Sequence, residues 1–274
     1  MTETRPLPAW LEQDLPFIVA TCVTHRQDLD HVQEFLRAHP DLLDDLLSHD
    51  RLFDKIQSDE QVFLRITPQL FFTVLMRHMQ KALSGQAYTL EITASGERVP
   101  VFDTGRVHWL LQQRPVQEYL ASLLSSFSRV ESTTVVYRRR GYIYKHRHSD
   151  LDWKALAATD QLLDDRHRFM LYRRLGDLAL FLTGMFPDFV ISGRASGGAW
   201  RSRNTDTPPL EEFVAGGRHY YELAASHADA ASSGLTEVLQ LLADNFVVAR
   251  KLLNILADDY VGPMRERWFA GILN

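Results

Sequence analysis

The stretch that decides the fold is TDQLLDDRHRFMLYRRLGDLALFLTGMFP, residues 159–187. Leu171, Leu175, Leu178, Leu182 and Met185 recur at steps of four and three, which places them on one stripe of an α-helix. Asp164, Asp165, Arg166, His167, Arg168, Arg173 and Arg174 make the first half wet. From Leu178 onward Ala179, Leu180, Phe181 and Phe186 add apolar surface on every side, so that half has to be buried by other elements. The spacing predicts a helix over 160–186 that enters the protein from its surface and is stopped by Gly184 and Pro187. Within it Asp177 is the one charge on the apolar half, with Arg173 and Arg174 one turn earlier, and the pattern reads as a structural ion pair.

Helical signals continue on both sides. Downstream, helices are expected over 211–230, with Phe213, Tyr220 and Tyr221 inward, and over 235–260, ended by Gly262-Pro263. These three helices form a C-terminal bundle over 151–274. Between the first two of them, residues 192–209 (SGRASGGAWRSRNTDTPP) carry few core formers and read as a mobile lid, a binding loop or plain disorder. Upstream, residues 1–13 look like a loose arm and a first helix starts at Pro16. Short helices follow over 26–38, from Pro40 and from Asp50, which makes 1–65 an acidic helical segment. Thr67-Pro68 is an N-cap and first-turn pair, opening a helix to about Leu83.

The middle, 66–150, mixes helices with two β-hairpins. YTLEI (88–92) and RVPVF (98–102) flank a glycine-containing turn. TTVVYRRRGYIYKHRH (133–148) turns at Arg139-Arg140-Gly141. Helices over 104–112 and 115–128 lie between the hairpins. The order helix, strand, helix, helix, two-stranded ribbon resembles a winged helix-turn-helix in topology. That resemblance implies a reading helix in PVQEYLASLLSSFS (115–128), which has no Arg or Lys and offers only Gln117, Ser122, Ser125 and Ser126 beside Glu118. The fold class expected is therefore mainly α, a helical bundle with two small β-hairpins and a middle region like a winged helix.

Composition sets the bounds. With 45% hydrophobic and 24% charged residues the chain has the make-up of a globular protein, expected to be cytoplasmic. The single cysteine, Cys22, excludes an internal disulfide and sits in an apolar run as an inert thiol. No secretory leader or window of about 20 apolar residues is present, so no membrane is expected. The net charge of −5 is uneven: residues 1–60 sum to −8 and the rest to +3.

The sharpest functional signal is the basic hairpin. Arg138, Arg139, Arg140, Lys145 and Arg147 fall within ten residues, interleaved with Tyr137, Tyr142 and Tyr144 and free of acids. Positive charge on a thin ribbon suits phosphate contacts. Arg194, Arg201 and Arg203 in the glycine-rich loop are candidates for the same anion, beside Trp200. The leading expectation is a non-enzymatic module that contacts nucleic acid or another polyanion. The alternative is an assembly protein, a helical homo-oligomer whose basic hairpin docks on acidic helices. No cofactor is expected. Gly193 and Gly198 have P-loop spacing, but Ala199-Trp200 replaces the lysine and hydroxyl that phosphates require. Asp28/His31 and Asp164/His167 stand at helical spacing on polar faces without a Glu-x-x-His partner, so no metal is expected. HExxH, CxxC, GxSxG and GxGxxG are absent, which leaves an enzyme third, discriminated by a pocket joining His219, Tyr220 and Asp177.

Overall fold

The protein is described from a computed structural model over residues 7–85, 88–92, 98–101, 103–128, 134–139, 142–147, 153–160, 163–187, 190, 209–264 and 268–269. It is mainly helical. In chain order the helices are α1 (Ala9–Cys22), α2 (Leu29–Ala38), α3 (Pro40–Leu47), α4 (Asp50–Ser58) and α5 (Pro68–Leu83). There follow α6 (Thr104–Gln112), α7 (Arg114–Ser128), α8 (Trp153–Ala158), α9 (Asp165–Met185), α10 (Leu210–Ser226), α11 (Ala228–Ser232), α12 (Thr236–Asp244) and α13 (Phe246–Ile255). Two antiparallel strand pairs interrupt them, β1 (Thr89–Ile92) with β2 (Arg98–Val101) and β3 (Thr134–Arg139) with β4 (Tyr142–Arg147).

The stretch that opens the sequence reading is α9, which starts at Asp165 rather than at 160. Leu175, Leu178, Ala179, Leu180 and Phe181 are all fully buried, as their placement around every side of the helix demands. Gly184 does not stop it. The glycine lies inside the helix, and a Cβ there would come 2.6 Å from Leu253 Cβ on α13. One face higher, a Cβ on Gly176 would lie 2.6 Å from the Tyr221 ring on α10. On α10 the same economy recurs: Gly216 faces Trp153 and Gly217 faces Phe246 and Ala179. Missing side chains let the backbones approach where whole aromatic rings lie between them.

The expected 235–260 helix is broken. Asn245 leaves helical space at φ −118°, ψ 29°, and its side-chain amide donates to the Leu241 carbonyl at 3.0 Å. Short amide side chains that bond backbone groups compete with helix continuation. The break re-aims the chain, so that Phe246 meets α10 through Gly217 while Leu253 meets α9 through Gly184. After α13 the chain widens into a π-helical segment, Leu256–Val261, which Gly262 ends with a φ of 37°. The 211–230 helix is interrupted too, at His227, whose Nδ1 accepts from the Asp229 N–H to begin α11.

At the N-terminus α1 begins at Ala9 and carries Pro16 inside it, so the 9–13 part of the expected loose arm is helix, and 1–6 lie outside the described residues. What holds it is Asp14, 1% exposed, which accepts from the backbone N–H and hydroxyl of Thr67. Thr67 in turn accepts from the Leu70 N–H as the N-cap of α5. The carboxylate thus sits at the positive end of a helix. Burial raises the Asp14 carboxyl above its usual range, against the two Thr67 bonds that lower it. The buried apolar residues form one cluster running from Leu11 to Phe269.

A test follows from the glycines. Gly176→Ala drives a methyl into the fully buried Tyr221 ring and is expected to lose about 1–3 kcal/mol of stability. Gly105→Ala, in α6 with nothing within 4 Å of the new Cβ, is expected to gain about 0.5–1 kcal/mol from helix propensity. Urea unfolding of the two variants reads both signs.

Candidate functional site

Four of the eight anion-binding candidates fall on the β3–β4 pair. Its register aligns Thr134 with Arg147, Val136 with Lys145, Tyr137 with Tyr144, Arg138 with Ile143 and Arg139 with Tyr142. Directly opposed residues share a face of a sheet and successive residues change face. Positions 138, 145 and 147 therefore lie on one face with 136 and 143, and position 139 lies on the other with 137, 142 and 144. Basic residues thus hold three positions on the first face and one on the second. β3 and β4 make their principal contacts with each other. Arg140, Arg194, Arg201 and Arg203 lie outside the described residues, as does the 192–208 part of the glycine-rich loop.

The helix that stands where a winged helix has its reading helix, α7, is a packing helix. Val116, Tyr119, Leu120, Ala121, Leu123, Leu124 and Phe127 are buried. Gln117 is buried with them and donates to Gln80 Oε1 at 2.6 Å and to the Leu111 carbonyl at 2.7 Å. Arg114, at its start, bonds Glu118 and lies 2.9 Å from Asp44. Of the polar side chains that the sequence offers on this helix, Gln117 is spent inside the protein, while Glu118, Ser122 and Ser126 are exposed.

The best-defined polar constellation is interior. Asp177 is 3% exposed, and its Oδ1 accepts from the Tyr119 hydroxyl of α7 at 2.7 Å and the Tyr221 hydroxyl of α10 at 2.8 Å. Arg173 Nε lies 3.6 Å from Oδ2, and its guanidinium stands 5.5 Å from the Tyr119 ring centroid. The ion pair read from the sequence is present, whereas Arg174 turns away onto the Phe127 ring at 3.8 Å and donates to Ser126. Sequence spacing missed Tyr119, which is 58 residues from its partner. Desolvation raises the Asp177 carboxyl, outweighing Arg173 and the two hydroxyls that pull it down. Both tyrosines are pushed well above their ordinary value, first by burial and then by the Asp177 charge. An acceptor this fully occupied ties three helices together.

Tyr220, next in sequence, stacks on Tyr172 at 6.0 Å and meets Trp153 edge-on, and His219 is exposed whereas Asp177 is buried. A described groove lies elsewhere, between α1 and α4, lined by Phe17, Thr21, Arg51, Lys55, Ser58 and Arg65. Lys55 and Arg65 share Asp59 at 3.4 and 3.2 Å. Asp28 pairs with Arg26 at 2.6 Å. Among the described residues no group of three or more His, Cys, Asp or Glu could hold a metal, and no helix is long and apolar enough to cross a membrane. Cys22 is half-buried, and burial pushes its thiol up to about 11.

The chain matches no protein-family model, no curated protein and no solved structure.

Removing Asp177 orphans two buried hydroxyls, at about 1–3 kcal/mol each, and Asp177→Ala is expected to lose roughly 2–4 kcal/mol in chemical denaturation. Asp177→Asn adds a pH signature. A carboxyl raised by folding contributes stability that is present below its unfolded value and is lost as pH rises through the folded value. The deficit of Asp177→Asn relative to wild type is therefore expected to be larger near pH ~4 than at neutral pH, by comparison of urea midpoints.

Proposed function

We propose that the chain is a non-enzymatic binding module that grips a polyanion, nucleic acid foremost, along the β3–β4 strand pair. One observation carries the reading: the register collects positions 138, 145 and 147 on a single face of a pair whose main contacts are with itself. Cations spaced along one side of an extended ribbon match the repeat of charge on a phosphate backbone, and such contacts give affinity without base readout. The tyrosines at 137, 142 and 144 share the opposite face with Arg139, where aromatic rings serve as stacking partners for unpaired bases. The burial of α7 fits this mode, because a ribbon that holds backbone needs no reading helix. The helix, strand, helix, helix, ribbon order is the further likeness to a winged helix, with the ribbon as the wing that touches phosphates.

The test is binding of the full chain to labelled single- and double-stranded DNA and RNA across a salt series. Affinity is expected to fall steeply with salt. Replacing Arg138, Arg139, Lys145 and Arg147 by Gln is expected to flatten the log–log slope by about 0.7–0.9 for each cation that contacts phosphate. Unchanged affinity and slope in that variant overturn the assignment.

A further inference from the structure

The outer side of the α2–α3 corner is the counterpart of the β3–β4 face in both charge and chemistry. Glu34, Phe35, His39, Asp41, Leu42 and Asp45 are all exposed there. Phe35 and Leu42 keep 47% and 42% of their surface in water, a large cost for two apolar side chains with acids around them. Phe35 is already held in one orientation, because its ring stacks on His39 at 4.1 Å and His39 Nδ1 bonds the Phe35 carbonyl at 2.8 Å. The inner sides of these helices are satisfied: Val32, Leu36, Leu43 and Leu47 are buried.

Nearby cations are engaged with other acids: Arg37 with Glu12 at 3.0 Å, Arg26 with Asp28, and Arg77 and Arg114 both with Asp44 at 2.6 and 2.9 Å. Among the described residues no cation lies within ion-pair distance of Glu34, Asp41 or Asp45, although Asp41 lies in the field of Arg114. Phe35, Leu42 and three carboxylates are thus exposed together on two consecutive helices. By register, positions 138, 145 and 147 share one face of the strand pair with positions 136 and 143. The strand pair makes its principal contacts with itself.

We propose that the Glu34–Asp45 face of α2–α3 is a docking surface for the β3–β4 strand pair of a second copy of this chain. Apolar centres meet, and each carboxylate faces a cation. Complementary charge fixes the register and suppresses like-with-like pairing, since face against face or ribbon against ribbon brings equal charges together. Two copies facing each other make the contact twice, as a closed dimer requires. This assignment shares with the polyanion reading the premise that β3–β4 is a contact surface. Carboxylates on α2–α3 then present to the ribbon what nucleic acid presents with phosphates, and the two partners compete for it.

The experiment is sedimentation of the full-length protein, a chain of 31.5 kDa, at rising concentration and at low and high salt. The wild type is expected to approach twice the monomer mass at low salt and to return to monomer near 1 M salt, where the screening length is about 3 Å. Glu34→Lys with Asp41→Lys and Asp45→Lys is expected to be monomeric, as is Arg138→Glu with Lys145→Glu and Arg147→Glu. Mixing the two variants gives one contact of wild-type charge and one with charges exchanged, and is expected to recover the dimer. Phe35→Ser alone is expected to weaken self-association by about tenfold, as loss of an aromatic anchor does. A wild type that stays monomeric at all concentrations and salts overturns the proposal. So do variants that associate like wild type, or a mixture that stays monomeric although each variant keeps the wild-type circular dichroism. Polyanion binding separates the two readings, since the α2–α3 variant keeps it whether or not the dimer exists, and only the strand variant loses it.

Discussion

The constraint on which the rest depends is how closely α9 approaches its neighbours. Gly176 and Gly184 remove the side chains that would hold α10 and α13 away, and the space is taken by Tyr221 and Leu253. Because Tyr221 lies against the α9 backbone at Gly176, its hydroxyl reaches the carboxylate one residue on, at Asp177. Steric permission and polar satisfaction are thus one event. A bulkier residue at 176 displaces the ring and strands the charge together. Interiors packed to crystal density have no slack in which one can move without the other.

Around that contact the helices are tied by polar groups that each span a long sequence interval. Tyr119 brings α7 to Asp177, Asp14 brings α1 to the start of α5, and Lys251 of α13 reaches Asp103 before α6 at 2.6 Å. Lys251 is 2% exposed, so its charge is buried with a partner, as interior charges must be. Each of these links joins an otherwise apolar surface at one place. Apolar packing accepts many relative positions of two helices, whereas a buried carboxylate accepts few, and this is what such groups add to specificity.

Spending polar groups on the interior leaves a surface of sharply divided character. Glu34, Asp41 and Asp45 are exposed on the outer α2–α3 side, and no cation lies within ion-pair distance of them among the described residues. A polyanion and the acidic face of another copy are chemically parallel partners for the same cations, and salt weakens both.

Much of this was legible in the residues alone. The all-round apolar half of α9 had to be buried, Thr67-Pro68 had to open a helix, and the β-branched and aromatic runs around residues 134–147 had to pair, because these outcomes follow from local periodicity and backbone preference. The cationic ribbon was visible for the same reason. Tertiary structure decided what local signals cannot contain. Gly184 reads as a helix stop from sequence but is a contact with Leu253, and Asn245 breaks a continuous apolar stripe so that Phe246 and Leu253 meet different helices. Tyr119 and Gln117 sat on a helix whose exposed side could not be known until its neighbours were placed. The apolar and acidic α2–α3 face likewise emerged only once the inner sides of both helices were covered. Sequence spacing reports which residues share an element, and only packing reports which elements share a surface.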